Sequence, residues 1–111
     1  MLTQKKSNKI KNELSDKIAK IPFFFDALAD RGRFMIIKLL IKRKDLCVSD
    51  IADILKITPS AACQQLRILE RISFVKRIRM GQKVCYRLNN KDLIVRNIIN
   101  LIKKVEKIDK L

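Results

Sequence analysis

Histidine and tryptophan are absent from this 111-residue sequence, and glycine and proline occur only twice each. The lack of histidine removes the commonest general base, and no Gly-rich phosphate loop is present. Asp50 and Asp53, one turn apart, are more typical of helix-dipole compensation than of an acid/base pair. A β-sandwich needs many turns, and with so few glycine and proline residues the chain is not expected to form one. We therefore expect a mainly helical protein that is not an enzyme and holds no cofactor.

Cysteine is also scarce, and Cys47, Cys63 and Cys85 are widely spaced. None stands in a CxxC pair and no histidine could complete a ligand set, so we expect no metal site. An odd set of this kind is more typical of reduced thiols in a cytoplasm than of a disulfide framework. Each is interpreted as a small buried or half-buried thiol, with Cys47 and Cys85 as the candidate redox thiols.

Long apolar runs are missing too. No run approaches the ~20 residues that cross a bilayer, and no segment has the charge-then-apolar pattern of a secretory signal. We therefore expect a cytoplasmic protein. The apolar content of 48% and the charged content of 33% predict a chain that folds, and its length suits one domain over 1–111.

What the sequence does have is positive charge. The net charge is +15, and it is uneven, because residues 46–66 carry −1 whereas residues 67–90 carry +6. An excess of this size usually serves a polyanionic partner. Nucleic acid is favoured, and an anionic membrane surface is not expected to be the partner.

Both ends of the chain predict amphipathic helices. Residues 7–20 have a basic helix pattern within an N-terminal segment 1–21, and residues 90–108 have an apolar face broader than one small core can cover. We expect part of the C-terminal face to pack against a second copy of the chain, through Ile94, Ile98, Leu101, Ile102 and Val105.

The helical core is expected over 22–73, with a break at Arg31-Gly32 and two short helices within 49–72. Ser49 is the expected N-cap of the first of these, with Ile51, Ile54 and Leu55 facing inward. Two short helices joined by a tight turn are a helix-turn-helix.

"ITPSAACQQLRIL" supplies the second short helix, which Thr58 caps and Pro59 begins. Ala62, Leu66 and Leu69 fall on its inner face, and its outer face is polar, basic and slim at the start. A helix that enters the major groove needs that shape, and glutamine can pair with adenine. The predicted DNA-contacting residues are Thr58, Ser60, Ala61, Gln64, Gln65, Arg67 and Arg71.

Residues 74–88 change to a two-residue period around Gly81, which predicts a two-stranded β-hairpin. A hairpin this cationic, directly after a recognition helix, is a wing. Its side chains are expected to contact phosphate or the minor groove. The residues concerned are Lys76, Arg77, Arg79, Gln82 and Lys83.

Three stretches resemble the ArsR/SmtB family of winged-helix repressors, over roughly residues 22–90. "FFDALADRGRFMIIKLL" is similar to the first core helices, with Asp30 and Arg33 placed as in the family's Leu-Ala-Asp-x-x-Arg signature. "DLCVSDIADILKITPSAACQQLRILERISFVKR" is similar to the segment that contains the recognition helix, and "RMGQKVCYRL" looks like the wing. The resemblance implies a winged helix-turn-helix fold, mainly α with a small β-hairpin.

The resemblance also implies a homodimer, joined through its N- and C-terminal helices, so that Ile10, Leu14 and Ile18 of the N-terminal helix join the dimer interface. Two recognition helices then lie in successive major grooves of an imperfect palindrome. It places Ser60, Ala61, Gln64 and Gln65 where the family reads bases. Cys63 stands in a position often held by Ser, and Gln65 in one usually held by His. These departures favour a shifted operator sequence over lost binding.

Metal sensing is a further property of many family members, as is release of DNA when thiols oxidise. Cys47 matches the cysteine of the family's Leu-Cys-Val metal box, but Ser49 stands where arsenic and cadmium sensors carry a second Cys. No histidine is available for the zinc site of the C-terminal helix. One thiolate is too few for a tight soft-metal site, so metal sensing is expected to be absent or very different.

The interpretation is a sequence-specific regulator of transcription that binds double-stranded DNA as a homodimeric repressor, with no effector assigned. One alternative is a low-specificity architectural protein that coats DNA, which the charge of +15 also suits. Another is a redox-sensing regulator that responds through Cys47 or Cys85. The ratio of specific to non-specific DNA affinity distinguishes the architectural protein from a sequence-specific regulator. The redox-sensing regulator is distinguished by release of DNA that peroxide alters in the wild type but not in Cys→Ser variants.

Overall fold

The computed structural model describes residues 1–14 and 20–109 of the chain. The predicted mainly helical fold with a small β-hairpin is confirmed. The elements in this part of the chain are α1 (Gln4–Glu13), α2 (Lys20–Ala29), α3 (Arg31–Lys42), β1 (Leu46–Cys47), α4 (Val48–Leu55), α5 (Pro59–Arg71), β2 (Val75–Met80), β3 (Lys83–Leu88) and α6 (Leu93–Asp109).

The predicted two-stranded hairpin is present as β2 and β3, and a third strand, β1, which the sequence pattern does not predict, makes a three-stranded antiparallel sheet in the order β1-β3-β2. β2 pairs with β3 from Val75 opposite Leu88 to Met80 opposite Lys83. β1 adds the pairs Leu46 with Tyr86 and Cys47 with Cys85. β1 has only two residues, too few to show an alternating pattern, so only its pairing with β3 identifies it as a strand.

One hydrophobic core joins the helices to the sheet. The rings of Phe24 in α2 and Phe74, just before β2, meet with centroids 5.8 Å apart. Burial of apolar side chains is the main stabilising contribution to such a fold. The other large side chains with no more than 2% exposure are Ile36, Ile37, Ile51, Leu66, Leu69, Val75 and Val95.

The N-terminal helix differs from the sequence prediction. α1 begins earlier than residue 7, because the Thr3 hydroxyl caps it by accepting the N–H of Lys6 at 3.3 Å. Every residue of α1 is exposed in a single chain, including Ile10. Leu14 is also exposed, whereas Ile18 lies outside the described residues.

The first helix of the helix-turn-helix begins before the predicted cap. The N-cap of α4 is Cys47 rather than Ser49, and its backbone N–H donates to the Asp50 carboxylate at 3.2 Å. The β1 pairing holds Cys47 in the extended conformation that an N-cap requires. Ile51 is buried as expected, but Ile54 is 52% exposed, so its predicted inward position is wrong.

The turn between α4 and α5 depends on Lys56, which adopts a φ of 55°. This left-handed residue ends α4, and the N–H of Ile57 then donates to the carbonyl of Ala52 at 3.0 Å. The Thr58 hydroxyl accepts the N–H of Ala61 at 3.1 Å, and Pro59 begins α5. The cap and the first residue of α5 are therefore as the sequence predicts.

No helix in the described ranges is both long enough and apolar enough to pass through a bilayer.

Candidate nucleic-acid interface

The outward face of α5 is polar and open to solvent. Ser60, Gln64, Arg67 and Arg71 are all exposed, whereas Ala62, Leu66 and Leu69 have no exposed surface. Ala61 is half-buried at the edge of the face, and the exposed Thr58 uses its hydroxyl oxygen as the helix cap. The first turn therefore presents only small side chains. Its one N–H group without a partner among the described residues is that of Ser60, because Pro59 has no N–H and those of Ala61 and Ala62 donate to Thr58. The N-terminus of a helix favours a phosphate oxygen.

Gln65, unlike its neighbour Gln64, uses its side-chain amide for hydrogen bonds within the protein. The amide oxygen accepts from Arg33 Nη1 at 3.0 Å, and Nε2 donates to Asp30 Oδ2 at 3.3 Å. Gln65 is half-buried, whereas Gln64 is exposed and has no side-chain hydrogen bond among the described residues. The two adjacent glutamines thus have different environments.

Arg33 and Asp30 extend the Gln65 contacts to two more helices. Asp30 caps α3 by accepting the backbone N–H of Arg33 at 3.0 Å, and Arg33 Nε donates to the carbonyl of Ala27 in α2 at 3.1 Å. The Arg33 side chain is only 15% exposed. We call Asp30, Arg33 and Gln65 the α3–α5 network. Although Asp30 and Arg33 stand in the Leu-Ala-Asp-x-x-Arg signature, their contact with Gln65 could not be read from the sequence.

The wing places cations on both of its faces. Lys76 and Arg87 are opposite each other in the β2–β3 register, while Arg77 and Arg79 point to the opposite face. Gly81 is the first residue of the two-residue hairpin loop and has a φ of 65°. Glycine adopts this left-handed conformation readily, whereas residues with a side chain rarely do. The wing residues predicted from the sequence, Lys76, Arg77, Arg79, Gln82 and Lys83, are all exposed.

Two of the wing's arginines are engaged within the protein. Arg77 Nε lies 3.8 Å from a Glu70 carboxylate oxygen near the end of α5. Arg87 holds Asp45 with two hydrogen bonds, of 2.9 and 3.2 Å, and so ties the segment before β1 to β3. Arg79 and Lys83 have no acidic partner in the described part of the chain, which leaves their charge available to an anion.

The cysteines depart from the expectation of three separate thiols. Cys47 and Cys85 are opposite each other across β1 and β3, and they form a disulfide. Cys63, on α5, is a half-buried free thiol. The expectation was wrong because it did not foresee β1, the strand that brings Cys47 against Cys85. Across the described residues, no group of three or more potential metal ligands is clustered.

An apolar groove lies between α2, the start of α3 and α6. Its volume is about 380 Å³, and Leu101 is 58% exposed beside it while Val105 is 48% exposed further along α6. On the inner side of α6, Val95 and Ile99 are buried, and Lys38 pairs with Glu106 at 3.3 Å. The apolar side chains that line the groove are Ile21, Phe25, Leu28, Phe34, Ile94, Ile98, Leu101 and Ile102.

A recognition helix that follows a short helix and a tight turn, next to a cationic β-hairpin, defines the winged helix-turn-helix class of DNA-binding proteins. A family model for the ArsR family of bacterial regulatory proteins matches residues 30–77. These residues include the cap of α3, both helices of the helix-turn-helix and the start of β2.

Proteins of similar sequence are named as regulators of transcription. The chain is 37% identical over 90 residues to a transcriptional repressor SmtB homolog from Synechocystis, a match that covers 81% of this chain and 64% of that protein. It is 32% identical over 89 residues to a cadmium resistance transcriptional regulatory protein CadC homolog from Staphylococcus aureus, over 77% of this chain and 71% of that protein.

The structure is also similar to a solved one. The homodimeric winged helix-turn-helix DNA-binding domain of Mb0332 from Mycobacterium bovis superposes with a TM-score of 0.70 at 26% identity. The match covers 84% of this chain and 87% of that fragment. The chain belongs to the ArsR family of bacterial regulatory proteins. It is a DNA-binding regulator of transcription, and its family is not an enzyme family.

Proposed function

We propose that the chain is a homodimeric repressor that binds an imperfect palindrome in double-stranded DNA and works in the cytoplasm. The observation that carries this proposal is the outward face of α5, where Ser60, Gln64 and Arg67 are exposed in a row beside the cationic wing. A face of this kind offers hydrogen bonds to base edges and positive charge to phosphates in the same groove.

Each part of the interface has a distinct proposed role. Ser60 and Gln64 contact bases, with Gln64 pairing with adenine, while Arg67 and Arg71 contact guanine or phosphate. The wing residues Arg79 and Lys83 contact phosphates or the minor groove, and counterion release there supplies much of the affinity. Ala61 lets the first turn of α5 approach the bases closely, and Thr58 acts through the cap.

A second copy of the chain is proposed to cover the apolar groove between α2 and α6. Soluble monomers rarely leave so continuous an apolar surface open. The resemblance to the homodimeric domain of Mb0332 supports the same arrangement. A two-fold dimer presents two α5 helices, which a palindromic operator matches. The partly exposed Ile94, Ile98, Leu101, Ile102 and Val105 form the α6 part of this interface, and Ile10 and Leu14 are proposed to add α1.

The test is selection of bound duplexes from random DNA, followed by measurement of affinity for the selected duplex and for a scrambled one across a salt series. A preference of roughly a thousandfold or more at physiological salt supports a sequence-specific regulator. Selection of an inverted repeat supports the dimer. Equal affinities that fall together with salt would instead favour a protein that coats DNA with little sequence preference.

A further inference from the structure

Gln65 occupies a position at which base contact was expected, yet both ends of its amide are already used. The oxygen accepts a hydrogen bond from Arg33 Nη1 at 3.0 Å, and Nε2 donates one to Asp30 Oδ2 at 3.3 Å. Pairing with adenine would require the same oxygen and nitrogen. The oxygen has a second lone pair and the nitrogen a second hydrogen, but bidentate pairing with adenine needs an oxygen and an N–H that point the same way. Arg33 Nη1 and Asp30 Oδ2, only 3.9 Å apart, already take up such a pair.

Release of Gln65 toward DNA would also remove one hydrogen bond from each of its two partners, Arg33 and Asp30. Arg33 is nearly buried and Asp30 is partly shielded, with side-chain exposures of 15% and 39%. Loss of a hydrogen bond to a charged, partly desolvated group is more costly than loss of one between neutral, solvated groups. The contacts within the protein are therefore favoured over a contact with a base.

Gly32 shows that the α3–α5 network is closely fitted. A Cβ at this position would lie 3.2 Å from Asp30 Oδ2 and 3.3 Å from Gln65 Nε2. Its absence allows the first turn of α3 to come within reach of the side chain from α5. The network therefore joins α5 to α3 directly and, through the Ala27 carbonyl, to α2.

We propose that Gln65 is a positioning residue rather than a base-reading one. Together with Asp30 and Arg33 it sets the rotation of α5 about its own axis, and base selection falls to Ser60 and Gln64. This inference rests on the proposed sequence-specific function. It departs from the role that the family resemblance implies for this position, because the amide of Gln65 is turned into the protein.

The experiment compares four variants with the wild-type chain on duplexes selected by the wild type. Gln65→Met keeps the volume and removes both side-chain hydrogen bonds, and Arg33→Lys keeps the charge but loses the forked geometry. The double variant, which carries both Gln65→Met and Arg33→Lys, tests whether the effects of the two changes are coupled. Gln64→Met is the matched control on the exposed face of α5. Affinities are measured for the selected duplex, for each single-base change in it and for scrambled DNA, at a temperature where circular dichroism shows each variant folded.

A positioning role for Gln65 predicts that Gln65→Met and Arg33→Lys each weaken binding to the selected duplex by about tenfold. The order of base preferences should not change. The double variant should be no weaker than about the worse single variant, since both changes break one network. Binding to scrambled DNA should be unchanged, which a loss of folded protein would not produce. Gln64→Met should alter preference at one or two positions.

Three results would overturn the inference. A change of base preference in Gln65→Met, with wild-type preference in Arg33→Lys, would make Gln65 a base reader. Wild-type affinity in both variants would show that the network positions nothing. Equal weakening on selected and scrambled DNA would indicate a general structural role. A wild-type chain that selects no sequence would refute the proposed function first, and the inference with it.

Discussion

Cys47 and Cys85 face each other across β1 and β3, and their disulfide attaches the residue that caps α4 to the second strand of the wing. The helix-turn-helix and the wing are thereby connected covalently as well as by packing. The two hydrogen bonds between Asp45 and Arg87 support the same junction, close to the disulfide in both segments.

Breaking this disulfide is expected to lower the free energy of unfolding by roughly 3–4 kcal/mol, because it closes a loop with a sequence separation of 38. Urea unfolding of the oxidised protein with and without a reductant measures the difference. Cys63→Ser should keep the sensitivity to reductant, and Cys47→Ser should abolish it. Superimposable curves for wild type in the two conditions would contradict the expectation.

The wing predicts a specific change in salt dependence. Arg79→Gln and Lys83→Gln should each reduce the slope of log affinity against log salt by about 2, since each removes one proposed phosphate contact from each subunit of the proposed dimer. The loss of affinity should be similar for all sequences. Lys107→Gln, an exposed residue on α6, removes the same charge away from the wing and should leave the slope unchanged. An equal change in that control would trace the effect to net charge alone.

The apolar groove predicts that a single charge on α6 prevents dimer formation. Leu101→Glu should give a folded monomer with a mass near 13.0 kDa in light scattering, because Leu101 is 58% exposed in one chain and is not needed for the core. Asn100→Glu places the same charge on the neighbouring exposed position, outside the groove lining, and should remain dimeric. A dimeric Leu101→Glu variant would show that the contact between copies lies elsewhere.

Tyr86 predicts a loss of stability at alkaline pH. Burial raises the pKa of the Tyr86 phenol, and the negative charge of Glu70 raises it further, while Arg77 acts in the opposite direction. As pH rises, the unfolded chain ionises this phenol first, near the ordinary value of about 10. The stabilising contribution is therefore complete below that pH and is lost as pH rises through the folded pKa.

The check is the free energy of unfolding of wild type and Tyr86→Phe across the alkaline range. The fall with pH should be smaller in the variant, and lysine deprotonation, which both proteins share, cancels in the comparison. Parallel curves would show that Tyr86 makes no contribution to the alkaline loss.

Local signals in the sequence were sufficient for much of the fold. Thr58 and Pro59 mark the start of α5 because a cap and an N1 proline act within one turn. Gly81 marks the wing turn for a similar reason. The expected exposure of Ser60, Gln64, Arg67 and Arg71 also follows from the helical period alone and is confirmed.

Contacts between distant segments could not be predicted in the same way. Leu46 and Cys47 become a strand only through β3, and the change of cap from Ser49 to Cys47 follows from that pairing. The contacts of Gln65 depend on residues more than 30 positions earlier, in the first turn of another helix. A period along one helix assigns a residue to a face but does not show what lies opposite it.

The third strand has a mechanical consequence for the wing. β1 pairs with β3 at Tyr86 and Cys85, so a third strand supports the base of the hairpin. The segment from Arg79 to Val84 extends beyond β1 as a two-stranded hairpin. We therefore expect the base of the wing to keep its position relative to α5. Under the proposed wing contacts, adjustment to the local width of a DNA groove is expected at the tip around Gly81.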